Sequence, residues 1–253
     1  MGSGPYTRPM TLTRIQTARR MTSRAIAAIL FALGLCFVLT GCQSAHDSGS
    51  APTSMPRFLA LGDSYTIGES VAVADRWPNQ LARVLRSRGL SIGEPEIIAK
   101  TGWTTDDLST AIDAAQPHGP YALVTLLIGV NNQYRGRDAE QYRGEFRTLL
   151  GRSIAFAGGQ AQHVVVVSIP DWGQTPFAAG RDRAKIATEI DRYNAINREE
   201  TLKAGARYAD ITPISREVAT NAALVASDGL HPSAQMYARW LERIEPEAAA
   251  ALR

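Results

Sequence analysis

From Arg57 onward two apolar patterns alternate along the chain. Short runs of strand length fall at 58–62, 96–100, 121–128, 163–169 and 207–211, and the stretch from His163 to Ile169 is the most strongly β-branched. Between them apolar residues recur at helical spacing. Trp77, Leu81, Val84 and Leu85 form one stripe that Gly89 closes; Tyr142, Phe146, Leu149, Leu150 and Ile154 form another; a last helix is expected over 233–250. Such stripes are core-facing, which leaves Arg83, Arg86 and Arg88 on a wet helix face. The run Val164 to Val167 is unbroken rather than alternating, which argues for strands buried on both faces and so for a parallel sheet covered by helices on each side. The predicted fold class is α/β, a three-layer α/β/α sandwich around a five-stranded parallel sheet, with no internal repeat and no second domain. Right-handed crossovers would gather the carboxyl ends of all five strands on one edge, where open α/β sheets bind ligands.

The first 41 residues follow a different pattern. Arg14, Arg19, Arg20 and Arg24 precede an uncharged apolar stretch from Ala25 to Leu39, which ends in Leu39, Thr40, Gly41 and Cys42. This reads as a secretory signal. The apolar stretch falls short of the roughly 20 residues that a spanning helix needs, so an uncleaved anchor is the second choice. The neighbours of Arg19 and Arg20 do not support the twin-arginine route, and Met10 and Met21 are equally good starts. Leu-Thr-Gly-Cys resembles a bacterial lipobox, which implies cleavage before Cys42, its diacylation, and a lipid anchor in the cell envelope; Gln43 in the next place would suit outer-membrane sorting in a diderm host. Residues 42–56, rich in Ser, Gly, Ala and Pro, read as a flexible tether, with His46 incidental, and residues 57–253 as the folded domain.

Processing changes the charge. The whole chain carries 27 basic and 24 acidic residues, but residues 1–41 hold five arginines and no acid, leaving 22 against 24 in the mature part. No basic cluster interleaved with aromatics remains, so a nucleic-acid partner has no footprint. The two cysteines, Cys36 and Cys42, lie in the signal and at the expected lipidation point, so no disulfide is expected in the domain. About 200 residues bury an ample core without one.

Candidate chemistry sits at the ends of the runs. Phe58 to Leu61 stops at Gly62, Asp63 and Ser64, which sets a serine hydroxyl at a strand's carboxyl end. A serine needs a base before it becomes a useful nucleophile, and histidine titrates closest to neutral pH. His231 is the candidate base, in Asp228, Gly229, Leu230, His231, Pro232; Asp228 stands three residues before it, near enough to bond the far ring nitrogen and set the tautomer. Taken singly, a Gly-Asp-Ser turn or an Asp-Gly-x-His loop is commonly only a turn. Two more elements stand between them. Thr101 and Gly102 follow one run, and Gly129, Val130, Asn131 and Asn132 follow another. A glycine amide and an asparagine side chain are suitable donors to a developing oxyanion, although each alone serves equally well as a turn or cap residue. Asp171, Trp172, Gly173 and Phe177, after the fourth strand, are candidates for a pocket wall. His118, in a loop, and His163, at a strand start, read as structural. The four histidines form no ligand-spaced cluster and no His-Glu-x-x-His occurs, so neither metal nor cofactor is expected.

Gly62-Asp63-Ser64, Gly102, Gly129-Val130-Asn131 and Asp228-x-x-His231, in that order, resemble the four sequence blocks of the SGNH (GDSL-type) hydrolases and extend over nearly all of the mature chain. The resemblance implies a flavodoxin-like fold, a nucleophile at Ser64, a base at His231 oriented by Asp228, and an oxyanion hole from the Ser64 amide, the Gly102 amide and the Asn131 side chain. Two positions depart from the family pattern. Asn132 stands where the third block most often has aspartate, and Tyr65 stands where the namesake motif has leucine. The implied activity is a serine esterase acting on short-chain, lipid or acetylated-glycan esters. The alternatives are an acyltransferase or deacetylase of envelope polysaccharide and a catalytically silent surface-binding lipoprotein. An α/β hydrolase of the Gly-x-Ser-x-Gly type is set aside, because that motif does not occur.

Overall fold

The computed structural model describes residues 55–253. The expected signal, the lipidation of Cys42 and the tether as far as residue 54 lie outside the described residues. Five strands run β1 Phe58–Gly62, β2 Pro95–Ala99, β3 Leu123–Leu127, β4 Val164–Val167 and β5 Arg207–Ala209. They pair in parallel in the order β2-β1-β3-β4-β5, with Ala60 level with both Ile97 and Thr125. The helices are α1 Ser64–Ile67, α2 Trp77–Ser87, α3 Thr105–Ala115, α4 Val130–Tyr134, α5 Ala139–Phe156, α6 Arg183–Lys203, α7 Thr212–Ser215 and α8 Ala234–Ala251. Among the described residues no helix is long and apolar enough to cross a membrane.

The strand order explains the layers. The step from β1 to β2 runs one way along the sheet and every later step runs the other way, so right-handed crossovers put α2, which joins β1 to β2, and the helices that join the later strands on opposite faces. Accordingly α2 packs against α8 on one side, while α3, α5 and α6 pack in succession on the other. All residues of β1, β3 and β4 are buried, as their unbroken apolar runs require of a sheet covered twice. The reversal of strand order falls between β1 and β3, and a crevice opens there above their carboxyl ends.

Three strands end inside their apolar runs because other acceptors take the backbone amides. Tyr121 donates its amide to the Phe156 carbonyl (2.8 Å), Ile169 to Asn194 Oδ1 (2.8 Å) and Ile211 to Ser168 Oγ (2.8 Å). The chain therefore leaves the sheet at Ile169 and Ile211 although both side chains stay in the core. The last helix starts one residue after Ser233, whose Oγ accepts the Met236 amide at 3.2 Å.

Candidate active site

β1 delivers Ser64 directly. The strand ends at Gly62, where a Cβ would lie 2.5 Å from the Leu127 carbonyl of the neighbouring strand, and Asp63 then caps α1 by accepting the Tyr65 amide at 3.0 Å. Ser64 is thus the first residue of a one-turn helix, only 5 % exposed. The ends of β2 and β3 bring two more segments beside it. Gly102 takes a left-handed φ of 84°, and its carbonyl accepts Arg135 Nη2 at 2.7 Å. Gly129 (φ 126°) leads into α4, where Asn131 Nδ2 donates to the Trp103 carbonyl at 2.9 Å. The amide nitrogen carries two hydrogens, so anchoring one leaves the second for a ligand.

The loop before α8 supplies the remaining pair. His231 Nδ1 lies 2.6 Å from Asp228 Oδ2, and the ring is 7 % exposed. Asp228 Oδ1 accepts the Leu230 and His231 amides, both at 2.9 Å, and Oδ2 also accepts Ser70 Oγ at 2.6 Å. Partial burial pushes this carboxyl up, but the bonds from Ser70, the two amides and the ring reverse the effect and hold it well below the usual carboxylate range. Asp228 therefore stays ionised beside the imidazole. Tyr65 meets His231 edge-on, with ring centroids 5.6 Å apart, and Tyr237 holds the Tyr65 backbone by donating to its carbonyl at 3.0 Å.

Ser64, Gly102, Asn131 and His231 line one cavity of about 170 Å³. Its far wall is aromatic. Trp172 packs against Tyr134 (5.3 Å between centroids) and Phe177 (6.0 Å), and Trp172 Nε1 donates to Gln133 Oε1 at 2.8 Å. Two of the four wall candidates, Trp172 and Phe177, reach the cavity. Asp171 turns away into the protein, where it accepts Arg216 Nε at 2.9 Å and the Gly173 amide at 2.9 Å. His118 and His163 lie elsewhere; the His118 carbonyl accepts the Arg57 guanidinium, and His163 closes the short turn before β4.

Ser70, Tyr65 and Tyr134 escape sequence reasoning as site residues. Tyr134 shares a short helix with Asn131, and that adjacency was the available signal. Asn132 holds α3 in place: its Oδ1 accepts the Thr105 amide at the start of that helix (3.1 Å), and its Nδ2 donates to Thr105 Oγ1 (2.7 Å) and Glu145 Oε2 (3.3 Å). An aspartate here would lack the donor and would face the Glu145 carboxylate, so the amide suits this surrounding.

Asp63 is fully buried and its Oδ2 has no hydrogen-bond partner among the described residues. Burial pushes its carboxyl up to about 7, against the lowering effect of the Tyr65 amide. Because the folded form holds this proton more tightly than the unfolded chain, the stabilising contribution is complete below pH 3.8 and is lost as the pH rises to about 7. Asp63→Asn should therefore gain stability on wild type with rising pH, by up to about 4 kcal/mol between pH 4 and 8. Urea midpoints of the two proteins across that range check this, and a difference independent of pH would contradict it.

The sheet order thus brings Ser64, Gly102, Asn131 and the Asp228-bonded His231 around one crevice at the switch point. A family model described as GDSL-like lipase/acylhydrolase matches residues 60–239, and the chain belongs to that family. Solved structures agree on the fold. TesA is 18 % identical, with a TM-score of 0.60 over 76 % of this chain and 97 % of its own. Axe2, an acetylxylan esterase from Geobacillus stearothermophilus, is 18 % identical (TM-score 0.57, 76 % and 94 %), and a lipase/acylhydrolase from Enterococcus faecalis is 20 % identical (0.56, 77 % and 96 %). No curated protein matches the chain.

Proposed function

We propose that the protein hydrolyses carboxylic esters through an acyl-enzyme on Ser64. The observation that carries this reading is His231, bonded to Asp228 at 2.6 Å, lining the same small cavity as Ser64, Gly102 and Asn131. Ser64 Oγ attacks the ester carbonyl carbon while His231 accepts its proton. The tetrahedral oxyanion is held by the Ser64 and Gly102 amides and Asn131 Nδ2. The carbon-oxygen bond to the alcohol breaks as His231 returns the proton to the departing oxygen. Water then attacks the acyl carbonyl, gives a proton to His231, and the acid leaves as Ser64 recovers that proton. Asp228, ionised throughout, fixes the tautomer and stabilises the imidazolium.

The cavity of about 170 Å³, walled on one side by Trp172 and Phe177, suits a short acyl group, and the similar fold of an acetylxylan esterase adds acetylated glycans to the ester classes worth testing. A lipid on Cys42, as the sequence implies, would hold this site at a membrane surface. Hydrolysis of p-nitrophenyl esters from acetate to palmitate tests the reading: acetate and butyrate should turn over and palmitate should be poorest. A folded protein inert on every ester would contradict it. Asn131→Ala should stay folded, because its side chain bonds only the Trp103 carbonyl among the described residues, and should lose about 10²- to 10³-fold in kcat. A rate near wild type would take Asn131 out of the oxyanion hole.

A further inference from the structure

Ser70 has a φ of 65°, a left-handed conformation that glycine takes freely and a side-chain-bearing residue takes at a cost. Only one other non-glycine residue among those described has positive φ, Gln116, and it ends a helix, where that conformation is common. Ser70 ends no helix. It sits two residues past Gly68, the residue that closes α1, and its hydroxyl reaches Asp228 Oδ2 at 2.6 Å, in the loop that carries His231. Its neighbour Glu69 accepts a hydrogen bond from Thr101, beside Gly102. The two-residue turn after the Ser64 helix thus touches both the histidine loop and the glycine loop.

We infer that Ser70 is a positioning residue that acts through Asp228, an inference that rests on the esterase reading of Ser64 and His231. A carboxylate swivels about its last bond unless donors fill both oxygens. Oδ1 of Asp228 is held by two backbone amides from its own loop, and Oδ2 is shared by His231 Nδ1 and Ser70 Oγ. Ser70 is the one donor to Asp228 from the segment that follows the nucleophile, so it ties the orientation of the acid, and through it the histidine ring, to the turn that leaves the Ser64 helix. The backbone strain at Ser70 is a feature that persists only when the surroundings hold it, and such strain gathers at functional sites. Asp228 is partly exposed, so without the hydroxyl water would fill its place but give no fixed direction.

Two substitutions separate the hydroxyl from the backbone. Ser70→Gly removes the hydroxyl and relaxes the left-handed φ; Ser70→Ala removes the hydroxyl and keeps the strain. Both should lower kcat on p-nitrophenyl acetate about tenfold, with KM within about twofold of wild type, and should slow labelling of Ser64 by a fluorophosphonate to the same degree. The glycine variant should nevertheless melt at the higher temperature of the two. If Ser70 served only the fold, the rates would follow the melting temperatures and the glycine variant would label and turn over at the wild-type rate; that result overturns the inference. Ser64→Ala serves as the control. Labelling that persists in it, or is absent from wild type, overturns the esterase reading itself and the role of Ser70 with it.

Discussion

Ser64→Ala is expected to lower ester hydrolysis by at least about 10⁴-fold while leaving the fold intact. The hydroxyl makes no hydrogen bond to another side chain among the described residues, and the backbone around it is fixed by other groups: Asp63 accepts the Tyr65 amide, and the Gly68 and Glu69 amides close on the Ser64 carbonyl at 3.0 and 3.1 Å. Alanine is a better helix former than serine and fits the first turn of α1 without strain. The loss should therefore appear in kcat with an unchanged melting temperature, because cavity and wall stay in place. Measured kcat of the two purified proteins on p-nitrophenyl acetate, with circular dichroism as the check on folding, decides it. Residual turnover within a hundredfold of wild type would mean that another group attacks the ester.

The second large effect is expected at Asp228, where asparagine should cost about 10⁴-fold in kcat/KM. The reason lies in the donors around the carboxyl. Two amides fall on Oδ1, so an asparagine oxygen stays there, and the amide nitrogen replaces Oδ2. That nitrogen then faces His231 Nδ1 and Ser70 Oγ, both of which now donate to Oδ2. Two donors cannot share a bond, so the imidazole must move its hydrogen to Nε2 and loses the lone pair that would take the Ser64 proton. The kcat/KM ratio of the two proteins measures the effect, and a loss smaller than about tenfold would show that Asp228 does not set the tautomer. Both the loop amides and the edge contact from Tyr65 remain, so the variant should fold.

How much of this was legible in the chain depends on how local each cause is. The run Phe58–Gly62 coincides with β1 because burial on both faces and the glycine at its end are both written in consecutive residues. The overextended ends of β3, β4 and β5 have distant causes: the Phe156 carbonyl, Asn194 and Ser168 intercept amides, and nothing near Tyr121, Ile169 or Ile211 announces it. The start of α3 was available, since Thr104 and Asp107 form a reciprocal cap three residues apart. At the site, Ser64, Gly102, Asn131, Asp228 and His231 each follow or precede a run in a recognisable block, and the parallel topology brings them to one edge. Ser70 carries no such mark, because its partner lies 158 residues away and its backbone conformation is one that serine seldom shows. Tyr65 is a similar case. Its aromatic ring supports His231 from behind, and only the folded chain puts the two together.

Everything proposed for this site depends on Ser64 being the activated nucleophile, which peptide mapping by mass spectrometry after brief phosphonylation by a fluorophosphonate reads at the residue itself. A single adduct is expected, on the peptide containing Ser64, formed by wild type and absent from a folded His231→Ala variant on the same timescale. An adduct on any other residue, or ester hydrolysis that continues undiminished in protein fully labelled at Ser64, would contradict the acyl-enzyme mechanism.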